Sequence, residues 1–313
     1  MDNKQLRELA ALDLSTYPYE KVKALLASLM QIGIIEYTLH QGKTITRGRT
    51  NGKGSFSEVG ELSYKPQQYN STYQRASTPQ RTMFYGSVLP ANLSPEDVQQ
   101  ERAIAVSEGS GLLRNAYKDQ VSSLQKEVVT FGSWEVIEDV PLLAICYHKT
   151  LSQNNSLGKE LYEAFKDGID TSPLTPTLKK QSYQVNEFLA EEYAKPSHEF
   201  GGDYDYLISA VFAELAVDNG YAGVYFPSVK AQGKGFNVAI SPAYCERCLQ
   251  LRKVLECTIY KRGKQVYLDN EAFCVVAPGS QRFQVAALTD PALRLGEEAV
   301  VKHFDEQEAS NGK

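Results

Sequence analysis

The chain has no run of about 18 apolar residues, so a membrane-spanning helix is not expected. Its first residues, Met1 to Gln5, lack the basic-then-apolar layout of a secretion signal, and a cytoplasmic location is the resulting expectation. Cysteine is sparse and odd in number, five in 313 residues, which argues against a disulfide scaffold and fits a reducing compartment. Only four histidines are present and they are scattered; His198, after Pro196 and Ser197, reads as a surface-loop residue rather than a base or metal ligand. A phosphate-cradling GxxxxGKS/T loop is missing, and Gly48, Gly52 and Gly54 are not framed as a dinucleotide-binding fingerprint requires. Positive charge is not in excess either. With 33 Lys and Arg against 38 Asp and Glu, the net charge of −5 and pI near 5.6 argue against nucleic acid or anionic membrane as partner.

What remains is the composition of a globular protein, 42% hydrophobic and 23% charged, long enough for one large domain with insertions or two small ones. Cys245-Glu-Arg-Cys248, with Cys257 and Cys274 downstream, is the one pattern that could hold zinc. The second pair is widely spaced, residues 243–251 read as helix, and Cys274 sits in the apolar run 272–276, so no metal is expected.

The most informative stretch runs from Asp203 to Ile240. Leu207, Ile208, Val211, Phe212 and Leu215 fall at helical spacing, which predicts a helix with Asp203, Asp205 and Glu214 on its wet side. Asn219-Gly220 should stop that helix, and Ala222 to Phe226 reads as a strand ended by Pro227. Ser228 therefore lies at a strand mouth. A flexible Gly233-Lys234-Gly235 turn follows, and Phe236 to Ile240 resumes an extended pattern. By itself, a serine after a proline is ordinarily a turn hydroxyl.

Upstream, residues 1–36 read as two helices, either covering one face of the core or making a dimer contact. Strands are predicted at 34–38 and 43–47, with Arg47-Gly48-Arg49 leaving the second; paired guanidinium groups suit a diphosphate or another anion. Residues 50–74 read as a long loop and Met83 to Ser87 as a short buried strand. A helix capped by Ser94-Pro95 should end near Glu108, an unfavourable place for a carboxylate unless it has a task. Strands are expected at 133–137 and 141–147, a helical insertion at about 149–202, helical or mixed structure at 244–257, a hairpin at 258–269 and a strand at 272–277. The acidic end, 291–313, reads as a helix or frayed tail.

Several of these pieces, in this order, resemble the RES-domain family. Arg47, with Arg49 as the alternative, matches the first arginine of the family's strand motif, and Arg75 with Phe84-Tyr85 matches the next segment. Ala103-Ile104-Ala105-Val106-Ser107-Glu108 matches its glutamate-bearing helix, and Gly223, Tyr225-Phe226-Pro227-Ser228 and Asn237 match its C-terminal core. The similarity covers roughly residues 45–110 and 203–240, and the middle of this chain is longer than in compact members.

The resemblance implies an α+β, ADP-ribosyltransferase-like split β-sheet core spanning 37–290, with an N-terminal helical extension and the helical insertion. It implies NAD as substrate, cleavage of the nicotinamide–ribose bond by a hydrolase- or phosphorylase-like enzyme, and a toxin covered by a helix-turn-helix antitoxin. The alternatives are an ADP-ribosyltransferase with a protein acceptor and a silent module that binds NAD or a partner. Glu108, Arg47 and Ser228 are the implied catalytic residues; Arg47, Arg49, Arg75, Tyr85, Tyr225 and Ser228 are the implied NAD contacts.

Overall fold

The computed structural model describes residues 3–29, 32–52, 54–88, 102, 105–106, 109–114, 121–154, 156–195, 202–229, 232–233 and 235–311. Most of the helix expected to end at Glu108, Glu108 itself and His198 lie outside these residues. In chain order the elements are α1 (Lys4–Ala10), α2 (Tyr19–Leu29), β1 (Ile35–Leu39), β2 (Thr44–Thr50), β3 (Phe84–Val88), α3 (Gly111–Arg114), β4 (Gln125–Val136) and β5 (Val140–Ala144). They continue with α4 (Ser156–Thr171), α5 (Pro176–Ala194), α6 (Leu207–Asp218), β6 (Gly223–Pro227), β7 (Phe236–Ile240) and α7 (Pro242–Cys248). The last are β8 (Leu249–Arg262), β9 (Gln265–Val275), β10 (Ala286–Ala287) and α8 (Glu297–Asn311). The protein is thus a mixed α and β structure.

The chain forms two compact units, each assembled from separated segments: 1–43, 64–93 and 136–249 in the first, and 44–63, 94–135 and 250–313 in the second. In the first unit the strands run in the order β1-β5-β6-β7-β3. All neighbours are antiparallel except β5 and β6, which are parallel. Its helices bury Leu6, Leu9, Val22, Leu26, Leu189, Val211 and Phe212 in one core with Leu143, Val224, Phe226 and Ala239 of the sheet. Residues 1–29 are therefore part of this unit's core, in keeping with a cover over one face.

Helix α6 is buried throughout Leu207 to Ala216, because its apolar residues surround it rather than forming a single stripe. It ends as the sequence predicts. The Gly220 N–H reaches the Val217 carbonyl and the Tyr221 N–H the Ala216 carbonyl, with Gly220 at φ +93°, a glycine-terminated helix end that satisfies two orphan carbonyls. Gly223 opens β6 at φ +153°, and a Cβ there would overlap the Ala239 carbonyl oxygen across the β6–β7 ladder. Only glycine fits at that point. The insertion is helical as expected, with Thr175 capping α5 by accepting from the Leu178 N–H at 3.3 Å. Tyr147, Tyr162, Phe165 and Tyr183 form one aromatic cluster with α4 and α5, ring centroids 4.8–5.6 Å apart.

In the second unit the order is β2-β4-β8-β9-β10, with β8 and β9 forming a long hairpin that turns at Gly263. One expectation is corrected here. Residues 249–251, read as the end of a helix over 243–251, are strand: α7 stops at Cys248, and Leu249, Leu251 and Val254 are buried in β8, so 244–257 is mixed. Of the two readings of the acidic end, the helix is the one found, as α8. Val300 and Phe304 of α8 pack on Tyr260, while Arg262 pairs with Asp305 at 2.8 Å and Glu308 at 3.1 Å. Asp269 accepts from the Leu295 and Gly296 N–H groups and anchors the approach to that helix.

Candidate functional site

In the second unit, Arg47 and Arg49 lie within β2 rather than at its exit, opposite Gly132 and Thr130 of β4. Residues two apart on a strand share a face, so the two side chains leave the same side with roots roughly 7 Å apart. Both are partly exposed. Arg49 donates to the Glu61 carbonyl and lies 5.6 Å from the Phe56 ring. Gly48 faces the other way, and its missing side chain lets residue 105 approach: a Cβ there would sit 3.2 Å from the Ala105 carbonyl oxygen and from the Phe131 ring. On the far side of Glu108 in the sequence, a Cβ on Gly109 would lie 3.9 Å from the Gly48 carbonyl oxygen. Ala105 and Gly109 thus lie near the backbone of β2 at Gly48, Ala105 on the face away from the two arginine side chains.

In the first unit, the remaining residues named by the resemblance occupy adjacent strands. Tyr85 of β3 pairs with Ala239 of β7, and its phenol accepts from the Ala76 N–H at 3.0 Å and bonds Ser77 at 2.9 Å. Two register positions on, the Ser87 hydroxyl donates to the Asn237 side-chain oxygen at 3.0 Å. Tyr225 is buried and stacked on Tyr37 and Phe236, centroids 4.4 and 4.5 Å away; burial first, then the neighbouring Tyr37, raises its pKa well above the usual phenol value. Ser228 is 0% exposed. Its N–H donates to the Gly235 carbonyl and its carbonyl accepts from the Gly233 N–H, both at 2.8 Å, so it closes the turn between β6 and β7.

Arg75 differs from the reading that gives it to a diphosphate. It is 9% exposed, donates to the Tyr193 carbonyl and, at 2.9 Å, to the Lys195 carbonyl, and lies 5.1 Å over the Tyr206 ring. These contacts satisfy the end of α5, where a cation is favoured by the carbonyls the helix leaves unpaired.

Sequence reasoning also misses one polar centre. The helical spacing places Glu214 on the wet side of its helix, yet it is 6% exposed, because α6 is covered on that side too. Its carboxylate accepts from Lys23 at 2.6 Å, Thr78 at 2.7 Å and Tyr19, and pairs with Arg81 at 3.0 Å. Burial by itself raises its pKa, but the hydrogen bonds from Lys23, Tyr19 and Thr78 and the Arg81 charge outweigh it and hold the group below the ordinary glutamate value. Arg81 also binds Asp218 at 2.7 Å, and Lys23 reaches Asp218 at 3.6 Å. Spacing could not reveal this site, since its partners come from α2, the segment before β3, and α6.

All five cysteines are free, and among the described residues no group of three or more His, Cys, Asp or Glu is placed to hold a metal. Among the same residues no helix is long and apolar enough to cross a membrane. No protein-family model matches the chain, and no match among curated proteins was found.

Proposed function

We propose that the protein consumes NAD by cleaving the nicotinamide–ribose bond, as a hydrolase- or phosphorylase-like enzyme of the toxin type. The observation that supports this most is the placement of Arg47 and Arg49 on one face of β2, both partly exposed. Two guanidinium groups on one strand face, with roots roughly 7 Å apart, fit a ligand carrying two linked phosphates. Bond cleavage builds positive charge on the ribose, and the Glu108 carboxylate would stabilise that charge more in the transition state than in the ground state. Tyr85, Tyr225 and Ser228, which the resemblance also implies as NAD contacts, belong to the first unit, where Tyr225 is buried between Tyr37 and Phe236 and Ser228 closes the turn after β6. Arg75, in this reading, supports the first unit's core and does not touch the diphosphate.

The test is nicotinamide release from NAD by the purified protein, with and without phosphate. Release is expected, and its dependence on phosphate separates phosphorolysis from hydrolysis. NAD binding without release, unless a protein acceptor is added, would replace this reading with a transferase. Absence of both binding and release would overturn it.

A further inference from the structure

Three tyrosines meet at the surface of the first unit, none of them used by the NAD reading. Tyr17 follows a short 3-10 turn (Leu14–Thr16), Tyr73 lies in the segment before β3, and Tyr204 precedes α6. The Tyr17 ring stacks on Tyr73 with centroids 5.8 Å apart and stands at 83° to the Tyr204 ring with centroids 6.2 Å apart. Tyr17 is 44% exposed, and Tyr73 and Tyr204 are partly exposed, so the cluster offers aromatic surface to solvent. Two backbone features shape it. Tyr17 adopts the left-handed conformation at φ +52°, a region that disfavours a bulky side chain. Gly202 has no side chain, and a Cβ there would fall 2.0 Å from a ring carbon of Tyr204, so that ring lies folded back over the Gly202 backbone.

The cluster also carries a charge without a counter-ion. Asp203 accepts from the Tyr17 hydroxyl and, at 2.7 Å, from the Tyr73 N–H, and it forms no ion pair among the described residues. Aromatic faces are electronegative, so rings and carboxylate together favour a cation placed within about 6 Å of a ring centroid. Two faces at right angles with centroids 6.2 Å apart share a point about 4.4 Å above both, which is 6.2 Å divided by √2. An ammonium or guanidinium group would bring N–H donors that each need an acceptor, and two acceptor positions of Asp203 are already taken. A quaternary ammonium group needs none.

We propose that the corner between Tyr17 and Tyr204, with Tyr73 behind Tyr17 and Asp203 beside it, binds a trimethylammonium group, carried either by a small molecule of the choline type or by a trimethylated lysine side chain. The site shares no residue with Arg47, Arg49 or Glu108, and it does not depend on NAD cleavage.

The experiment follows the N-methyl resonance of choline by ligand-observed NMR in the presence of the full chain. Beside it are measured the neutral tert-butyl analogue of choline and a glycine-flanked peptide bearing trimethyl-lysine. Choline should bind with a Kd on the order of 1 mM, and the neutral analogue at least about fivefold more weakly. The tighter of choline and the peptide identifies the source of the group. Tyr17→Gly, which suits the left-handed backbone, should weaken choline about tenfold, whereas Tyr17→Phe, which keeps the ring, should bind it within about twofold of the wild type. Gly202→Ala is compatible with its backbone at φ −74° and should weaken choline several-fold by displacing the Tyr204 ring without deleting an aromatic residue. Absence of binding by both choline and the peptide would overturn the proposal, as would a neutral analogue that binds as tightly as choline. Undiminished binding to folded Tyr17→Gly or Gly202→Ala, or Tyr17→Phe as weak as Tyr17→Gly, would overturn it as well.

Discussion

Arg75 in the first unit and Arg49 in the second make the same two kinds of contact, a hydrogen bond to a backbone carbonyl and an approach to an aromatic ring. They differ in burial and in how far the contacts use the guanidinium. Arg75 is 9% exposed and gives both terminal nitrogens to the end of α5, whereas Arg49 is partly exposed and lies beside Arg47 on one strand face. The difference teaches that an arginine's place in a sequence motif does not decide its task. A guanidinium whose donors satisfy buried carbonyls holds structure, and one left at a strand surface beside a second cation can take an anion.

That comparison can be broken by mutation. Arg75→Ala should cost the most stability, about 3 kcal/mol, because it strands buried carbonyls of α5; denaturant unfolding checks it, and a loss under about 1 kcal/mol would remove the structural role. Glu214→Gln should cost about 2 kcal/mol near neutral pH, since Lys23 and Arg81 lose their buried counter-charge. Because the folded protein holds the Glu214 pKa below its unfolded value, this contribution is fully present above the unfolded value of about 4.3 and is lost as pH falls through the folded one. The stability gap between the wild type and Glu214→Gln should therefore be flat above about pH 5 and narrow in more acidic buffer. A gap that widened on acidification would contradict the assigned sign. Arg49→Ala should be the mildest for folding, within about 0.5 kcal/mol, while raising the KM for NAD several-fold. If Arg49→Ala instead destabilised the protein as much as Arg75→Ala, the contrast would fail.

The parts of the fold that were legible in the sequence are those governed by local rules. The α6 stop at Asn219-Gly220, the short strands at 223–227 and 236–240 and the helices of the insertion follow from glycine conformation and apolar spacing. Leu249 to Leu251 misleads because β8 begins directly after a helix with no turn residue between them, so nothing in the sequence marks the boundary. Glu214 was illegible for another reason. Its helix is covered on all sides, and a single buried carboxylate on such a helix is recognisable only once Tyr19, Lys23, Thr78 and Arg81 are brought to it from elsewhere in the chain. The sequence predicts Arg47 and Arg49 at the exit of a strand, whereas β2 continues to Thr50 and carries both within it.

The central proposal is that Glu108 carries the chemistry of NAD cleavage, and the most direct test is nicotinamide release at saturating NAD by Glu108→Gln protein shown to be folded. The account predicts a fall of at least about 100-fold in turnover with little change in NAD affinity. Near-wild-type turnover in that variant would contradict it.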